Sequence, residues 1–336
     1  MTEAASLTTV ACPVCDSSKH RELFATKDYK QRVTDDRFIV SRCRNCGTGY
    51  LSTRPTKTEL NKYYDEAFYW SFENNEQTMH DTEELLSARQ DQLAAKAAWL
   101  SHIAPGKLLD IGTQKGEFIH HMQQQGWAVE GIEFSTTPPN LFDLPIRYGE
   151  FLDMPFADDA QYDCITMWAV LEHVYEPAKY VERIARLLKP GGRFIFLVTN
   201  FNTVQGRIFE MDDFPRHLNL FTKRSVNELL HKNNLRLTRR STDQKIFGGH
   251  LIGGLIYLTK RVAGYSRAEA MLEWKNDKTL VPFFHHWRGK PLLAMRVISR
   301  LDRLLLAPAE WLMDRLGFGF VMTIEAEKVA ATREQA

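Results

Sequence analysis

The segment Lys107–Ser135, KLLDIGTQKGEFIHHMQQQGWAVEGIEFS, determines the fold of this chain. It starts with an apolar strand pattern, passes through a turn that contains Gly112 and Gly116, and enters a helical pattern. A second apolar strand, 128–132, ends on Glu133. This order is typical of a β-α-β unit whose glycines let the backbone approach a ligand closely. Because the Glu133 carboxylate suits both hydroxyls of a ribose, the segment predicts a nucleoside-bearing cofactor.

A glycine-bearing turn alone does not separate NAD from S-adenosylmethionine as the cofactor. The Asp-x-Gly order of Asp110 and Gly112 resembles motif I of the class I S-adenosylmethionine-dependent methyltransferases. Four further segments resemble that family in the correct order: the adenine-side segment 149–156, the fourth strand 162–167, the segment 171–174 that follows it, and the fifth-strand entry 187–198. Five matches in register identify the chain as a member of this family.

The resemblance implies an α/β fold, a Rossmann-like seven-stranded methyltransferase sheet with S-adenosylmethionine as cofactor. Apolar patterns predict its strands at 107–111, 128–133, 145–148, 162–167, 193–198, 235–242 and 318–325. The cofactor-binding residues that the resemblance implies are Asp110, Gly112, Gln114, Gly116, Glu133, Glu150, Phe151 and Met167. Gln114 stands where the family commonly has glycine, and its side chain could fill space beside the methionine tail of the cofactor.

Four of the five cysteines form two CxxC pairs, Cys12 with Cys15 and Cys43 with Cys46. A two-residue spacer lets both thiolates of a pair reach one ion, so two pairs predict a closed, structural zinc site with four thiolate ligands. Two disulfides or four free thiols are the alternatives, and disulfides need an oxidising compartment. Cys164 lies in a predicted strand and is expected to be a small buried hydrophobic residue.

Composition is that of a globular protein, with 44% hydrophobic and 25% charged residues and a formal net charge of +1. The charge gives no general attraction to nucleic acid. We predict five parts: a zinc ribbon at 1–55, an aromatic linker and leading helix at 56–106, the S-adenosylmethionine-binding core at 107–246, a helical insertion at 247–316 before the last strand, and the final strand and tail at 317–336.

The predicted insertion 247–316 interrupts the antiparallel hairpin with which the resembled family ends its sheet. Its segment 292–316 sets leucines beside arginines, a pattern that fits either a lid over the acceptor or an interfacial helix. Neither a signal-like N-terminal segment nor an apolar run of about 18 residues is present, so we expect a cytoplasmic protein, with peripheral contact at the inner membrane face as an option. The sequence leaves the oligomeric state open.

Two histidines are candidate catalytic residues, because a hydroxyl acceptor needs a base for its proton. His173 follows the predicted fourth strand, and His217 lies in the segment PRHLNLFT after the fifth. We expect His217 to be the base and His173 to orient it or replace it. The segment around Glu172 also resembles ubiquinone-biosynthesis O-methyltransferases, in which acidic residues and a histidine can hold a divalent ion. Since the earlier acidic position is Ala169 here, we expect no catalytic metal.

The leading functional prediction is S-adenosylmethionine-dependent O-methylation of a small molecule, a sugar or a lipid-linked glycan, because the zinc ribbon and the PRHLNLFT segment resemble bacterial methyltransferases of sugars and cell-surface glycans. Quinone or polyketide methylation is the alternative. An rRNA methyltransferase is disfavoured by the near-neutral charge. A non-catalytic binding protein is disfavoured by the intact Asp110, Gly112, Gly116 and Glu133.

Overall fold

The computed structural model describes residues 6–28, 33–64, 83–135, 140–157, 161–203, 213–247 and 311–330, with residues 301, 304, 305 and 308. Its strands are β1 Leu7–Thr9, β2 His20–Thr26, β3 Phe38–Cys43, β4 Gly49–Pro55, β5 Lys107–Ile111, β6 Ala128–Glu133, β7 Ile146–Tyr148, β8 Tyr162–Trp168, β9 Leu188–Thr199, β10 Asn219–Leu220, β11 Leu235–Ser241 and β12 Val321–Lys328. Its helices are α1 Lys57–Leu60, α2 Glu83–Ala97, α3 Glu117–Gln124, α4 Pro177–Leu187 and α5 Lys223–Lys232.

The larger sheet has seven strands in the order β11-β12-β9-β8-β5-β6-β7. Strands β5 to β9 run parallel, with Asp110 beside Gly131 on β6 and Thr166 on β8. Strand β12 is antiparallel to both of its neighbours. This arrangement confirms the predicted Rossmann-like sheet, and the reversal of order between β5 and β8 opens a crevice at the carboxyl ends of these strands.

Helices cover both faces of this sheet because the central strands are apolar on both sides. Leu108 and Leu109 of β5 point to opposite faces and are fully buried. Helix α2, predicted within 81–102, ends at Ala97. The following residues form 3₁₀-type turns, with the Leu100 N–H donating to Ala97 O, and these turns bury Trp99 and Leu100 in the same core as β5.

The smaller sheet contains the N-terminal strands in the order β1-β4-β3-β2. Strand β3 ends on Cys43, the first cysteine of the second CxxC pair. A fifth strand, β10, pairs antiparallel with β4, so that Asn219 lies beside Tyr50 and Leu220 beside Gly49. A segment that follows the fifth strand of the large sheet therefore completes the sheet of the N-terminal module.

The last two strands of the large sheet form the antiparallel hairpin that the resemblance implied, with Leu235 of β11 opposite Lys328 of β12. The predicted insertion between them lies almost entirely outside the described residues, as does most of the aromatic segment 56–80 from residue 65 onward. Among the described helices, none combines the length and the apolar character needed to cross a membrane.

Candidate active site

The turn after β5 has the backbone shape that its glycines predict. Gly112 has φ +80°, and a Cβ atom there would lie 2.4 Å from Cγ2 of Val170. Gln114 adopts φ +51°, and its backbone N–H donates to Oε2 of Glu133 over 2.8 Å. The turn is thus fastened to the end of β6, and Gly112 has no room for a side chain because Val170 packs against the backbone there.

Glu133 stands at the carboxyl end of β6, where the sequence placed it. Its second oxygen accepts the backbone N–H of Ser135 over 3.1 Å. Burial raises the pKa of this carboxyl, while the backbone donors of Ser135 and Gln114 act in the opposite direction. A carboxylate with this environment retains lone pairs for ribose hydroxyls, because it can accept about four hydrogen bonds.

Glu150 and Phe151 lie together one strand further along, as the adenine-side prediction requires. The Tyr180 hydroxyl of α4 donates to Oε1 of Glu150. The Phe151 ring packs against the Tyr180 ring at a centroid distance of 5.2 Å. This contact gives the cleft an aromatic floor with one carboxylate at its edge, which suits a flat heterocycle with an amino group.

Three predicted cofactor residues lie behind the wall of the cleft. Met167 is fully buried in the core and does not line the cleft, so its role in cofactor binding stays a prediction. The next residue on the strand, Trp168, lines the cleft. Gly116 begins α3 with φ +85°. Asp110 accepts a 2.6 Å hydrogen bond from the Thr166 hydroxyl, and burial raises its pKa to about 6. Asp110 and Gly116 shape the turn from behind.

The cleft has a volume of about 500 Å³, within the usual range of small-molecule sites. Its cofactor end is formed by the turn after β5, the end of β6 and the segment after β7. Its other end, which we call the acceptor end, is formed by two separate segments. The residues that line the acceptor end are Lys57, Leu60, Asn61, Tyr64, Trp168, Ala169, Val170, His173, Val174 and Tyr175.

The two candidate catalytic histidines meet at the acceptor end. The His173 and His217 rings lie edge to face with their centroids 4.5 Å apart. His173 lines the cleft, and His217 packs against it from the loop before β10. Burial, together with the neighbouring His217 ring, lowers the pKa of His173 to about 3. The His173 ring is therefore neutral at any physiological pH.

The Nδ1 atom of His173 has two oxygen neighbours. One is the backbone carbonyl of Arg216 at 3.2 Å, and the other is the hydroxyl of Tyr64 at 3.1 Å. Sequence reasoning did not identify either residue as part of the site. Its one available signal was the aromatic richness of the segment 56–80, which exceeds that of an ordinary linker.

The loop that carries His217 is joined to the segment that carries His173 by hydrogen bonds. The backbone N–H groups of Leu218 and Asn219 donate to the Glu172 carbonyl over 2.9 and 3.0 Å. The Asn219 side chain donates to the Val174 carbonyl over 2.7 Å. Strand β10 follows directly, so the same few residues hold the histidines together and enter the N-terminal sheet.

Glu172, His173 and His217 also offer ligand atoms within 4.8 Å of one another, a spacing that a divalent ion could use. Glu172 is fully buried. Ala169 stands at the earlier position of the segment and has no ligand atom. The expectation of no catalytic metal therefore stays a prediction.

The four cysteines of the N-terminal module converge as predicted. The sulfurs of Cys12 and Cys46 lie 3.5 Å apart, as do those of Cys15 and Cys43. A disulfide would require about 2.05 Å, whereas a tetrahedron with Zn–S bonds of about 2.3 Å separates its sulfurs by roughly 3.8 Å. Hydrogen bonds from Cys12 and from the Thr48 side chain lower the pKa of Cys46 to about 5.

The residue that follows each CxxC pair has a left-handed backbone conformation: Asp16 has φ +58° and Gly47 has φ +80°. The N–H of each of these residues donates to the carbonyl of the first cysteine of its pair. The two turns are therefore equivalent in backbone shape, which is the usual arrangement of a pair of thiolate knuckles around one ion.

Comparison with known proteins agrees with this geometry. A family profile described as a methyltransferase domain matches residues 80–239. Residues 80–239 form a class I S-adenosylmethionine-dependent methyltransferase domain. In this methyltransferase domain, the cofactor end of the cleft is the contiguous region from β5 to the segment after β7.

Curated relatives of the methyltransferase domain include the ubiquinone biosynthesis O-methyltransferase of Paraburkholderia phytofirmans, 34% identical over 154 residues, and that of Paracidovorax citrulli, 29% identical over 158 residues. The matches cover 43% of this chain and 63% and 62% of the two relatives. The chain therefore spans less than two thirds of the length of the curated relatives that it matches.

A solved structure with a similar fold is the geranyl diphosphate C-methyltransferase of Streptomyces coelicolor. It is 15% identical, covers 70% of this chain and 79% of its own, and gives a TM-score of 0.45.

Proposed function

We propose that this protein transfers a methyl group from S-adenosylmethionine to an oxygen atom of a small acceptor. The observation that carries the proposal is a single cleft with Gly112 and Glu133 at one end and His173, with His217 packed against it, at the other. S-adenosylmethionine supplies the methyl group on a very good leaving group, so the protein's main tasks are to orient the acceptor and exclude water.

The residues present fit S-adenosylmethionine. Glu133 accepts from the ribose hydroxyls, Gly112 allows the backbone to approach the methionine part, and Glu150 with Phe151 meets the adenine edge. The proposal assigns the acceptor hydroxyl to the histidine pair, with His217 as the base and His173 as the ring that faces the cleft. Tyr64 and Trp168 line the same cleft and would contact the acceptor.

Two acceptor classes remain. A sugar, glycan or other small hydroxyl compound is the leading class. A quinone is the second candidate, and the observation that favours it is the name of the relatives, ubiquinone biosynthesis O-methyltransferase. The aromatic side chains at the acceptor end, Tyr64, Trp168 and Tyr175, suit a ring-shaped acceptor of either class.

Calorimetry with S-adenosylmethionine tests the cofactor part of this proposal, with NAD as the control ligand. Binding of S-adenosylmethionine and no binding of NAD is the expected result, and the reverse would reject it. An untargeted comparison of metabolites and glycans between a deletion strain and its parent tests the acceptor part. We expect one compound of the parent to be replaced in the deletion strain by a compound that is one methyl group lighter.

The proposal includes one structural zinc ion bound by Cys12, Cys15, Cys43 and Cys46. The sulfur spacing and the two equivalent turns support it. A closed site of four thiolates has no open position for a substrate, so this ion would hold the N-terminal module and take no part in the reaction.

A cytoplasmic location with contact at the inner membrane face is the remaining part of the proposal, and it applies if the acceptor is lipid-linked. Exposed apolar side chains near the end of the predicted insertion support it, with exposures of 73% for Leu304, 60% for Leu305 and 57% for Trp311. Flotation with anionic liposomes at low salt, reduced at high salt, is the expected result. Absence of flotation at low salt would leave a lid over a soluble acceptor.

A further inference from the structure

We propose that Arg216 is a positioning residue through which the N-terminal module holds His173 in a single tautomer, with the proton on Nδ1 and the lone pair of Nε2 available to an acceptor hydroxyl. The catalytic meaning of this arrangement rests on the proposed methyl transfer, but the tautomer itself does not.

The Arg216 side chain is an internal charged group with partners on two parts of the chain. It is fully buried, and its guanidinium contacts Asp213 at 2.8 Å and Asp28 at 3.3 Å. It also donates to the carbonyl of Tyr63 over 3.3 Å. Asp213 belongs to the loop 213–218 that carries His217, whereas Asp28 and Tyr63 belong to the N-terminal segments. The Arg216 guanidinium therefore joins the N-terminal module to the loop 213–218.

Only arginine can make these contacts together. Its planar group has five N–H donors in a fixed fork, while lysine has a single ammonium. Burial lowers the pKa of Arg216, but the two carboxylates outweigh burial and hold the pKa above its usual value, so the group stays charged. Because Asp28 is itself almost fully buried, the pair fixes the loop in one position rather than several.

The carbonyl of the same residue sets the chemistry of His173. A carbonyl oxygen can only accept a hydrogen bond, so a hydrogen bond across the 3.2 Å between Nδ1 and Arg216 O places the proton on Nδ1. The Tyr64 hydroxyl oxygen, 3.1 Å from Nδ1, then accepts from the same proton rather than donating to the ring. In a neutral imidazole the other nitrogen, Nε2, then carries the lone pair. The low pKa of His173 keeps the ring in this neutral form.

The neighbouring backbone couples this contact to the second histidine. The His217 N–H donates to the Asp213 carbonyl over 2.8 Å, within the same short loop that Arg216 fastens. Movement of the Arg216 side chain would therefore displace both the carbonyl that faces His173 and the His217 ring that packs against it. An error of about 1 Å in such groups can reduce a rate by about 10²-fold.

Nitrogen-15 NMR of the histidine rings in the full-length, zinc-loaded protein tests the proposal, with the His173 signals assigned by their loss in His173→Gln. We expect a pyrrole-type Nδ1 and a pyridine-type Nε2 for His173 in the wild-type protein. In Arg216→Lys we expect these signals to move toward a mixture of tautomers, while the affinity for S-adenosylmethionine changes by less than about threefold. Arg193→Lys, which alters a pair with Glu327 on the large sheet, is the matched control and should leave the His173 signals unchanged.

Asp28→Asn is the second variant, because it removes one partner of Arg216 and keeps Asp213. It should shift the His173 signals in the same direction as Arg216→Lys, and it carries the test if Arg216→Lys fails to fold. A pyridine-type Nδ1 in the wild-type protein overturns the proposal. The proposal is also overturned if the His173 signals are unchanged in both Asp28→Asn and Arg216→Lys and both proteins are folded. Absence of S-adenosylmethionine binding with the expected tautomer would reject the proposed function and leave this inference standing.

Discussion

The two ends of the cleft are built from very different lengths of sequence. The cofactor end comes from one continuous stretch, from β5 to the segment after β7, and each of its parts follows the last in order. The acceptor end combines residues 57–64 and 168–175, with the loop 213–218 packed behind His173, and these segments are far apart along the chain. A local motif can therefore predict the first end, whereas the second depends on how two sheets are joined.

The largest expected effect separates the two ends directly. Cys43→Ser removes a zinc ligand, and structural zinc contributes roughly 10–16 kcal/mol in zinc-finger peptides. We expect the N-terminal module, and the acceptor end with it, to lose its structure, while S-adenosylmethionine still binds. Metal analysis and calorimetry measure the two outcomes on the same sample.

Cys164→Ala is the control for this experiment, since Cys164 is buried in β8 away from the cluster. It should retain about one zinc per chain. If wild-type protein that is purified without a chelator contains four free thiols and no zinc, the metal site is rejected. Loss of cofactor binding in Cys43→Ser would show that the two ends are not separable.

The second prediction sharpens the assignment within the acceptor end. His217→Ala should lower kcat by about 10²–10⁴-fold and leave the affinity for S-adenosylmethionine nearly unchanged, because a general base contributes about that much. The measurement is the pH–rate profile with the acceptor found by metabolite comparison. Since the pKa of His173 is lowered to about 3, His173 cannot produce an acid limb near neutral pH.

His173→Ala is the companion variant. If His217 is the base, the acid limb persists in His173→Ala and disappears in His217→Ala. An unchanged profile in His217→Ala would refute its role as the base.

Particular residues show how far the sequence could predict the site. Glu133 and Gly112 were correctly placed at the cleft because the β-α-β pattern fixes both at the ends of adjacent parallel strands. Met167 lies in the core because alternate strand residues face opposite sides, and the next residue, Trp168, lines the cleft. Tyr64 and Arg216 contact His173 from segments that are far apart along the chain, which no local pattern predicts.

The third prediction tests the cofactor end. Glu133→Ala should weaken S-adenosylmethionine binding by about 1.5–3 kcal/mol, roughly 10- to 150-fold in Kd, through loss of charge-assisted hydrogen bonds. Glu130→Ala on the same strand is the matched control, since Glu130 bonds to the Tyr162 hydroxyl and does not line the cleft. Calorimetry that gives equal affinities for the two variants would contradict the ribose assignment.

The smallest expected effect concerns Asp110, which supports the turn from behind. Burial raises its pKa to about 6 in the folded protein, above its unfolded value near 3.8. The folded state therefore binds more protons than the unfolded state between about pH 4 and 6, so this group lowers the free energy of unfolding as pH rises through that window. A shift of about two pKa units corresponds to a loss on the order of 2–3 kcal/mol.

Asp110→Asn keeps an oxygen for the Thr166 hydroxyl and removes the titration. Urea denaturation at pH 4 and pH 7 should therefore show that the variant gains stability relative to the wild type as pH rises. A stability difference that stays constant with pH would mean that the pKa of Asp110 is not raised in the folded protein.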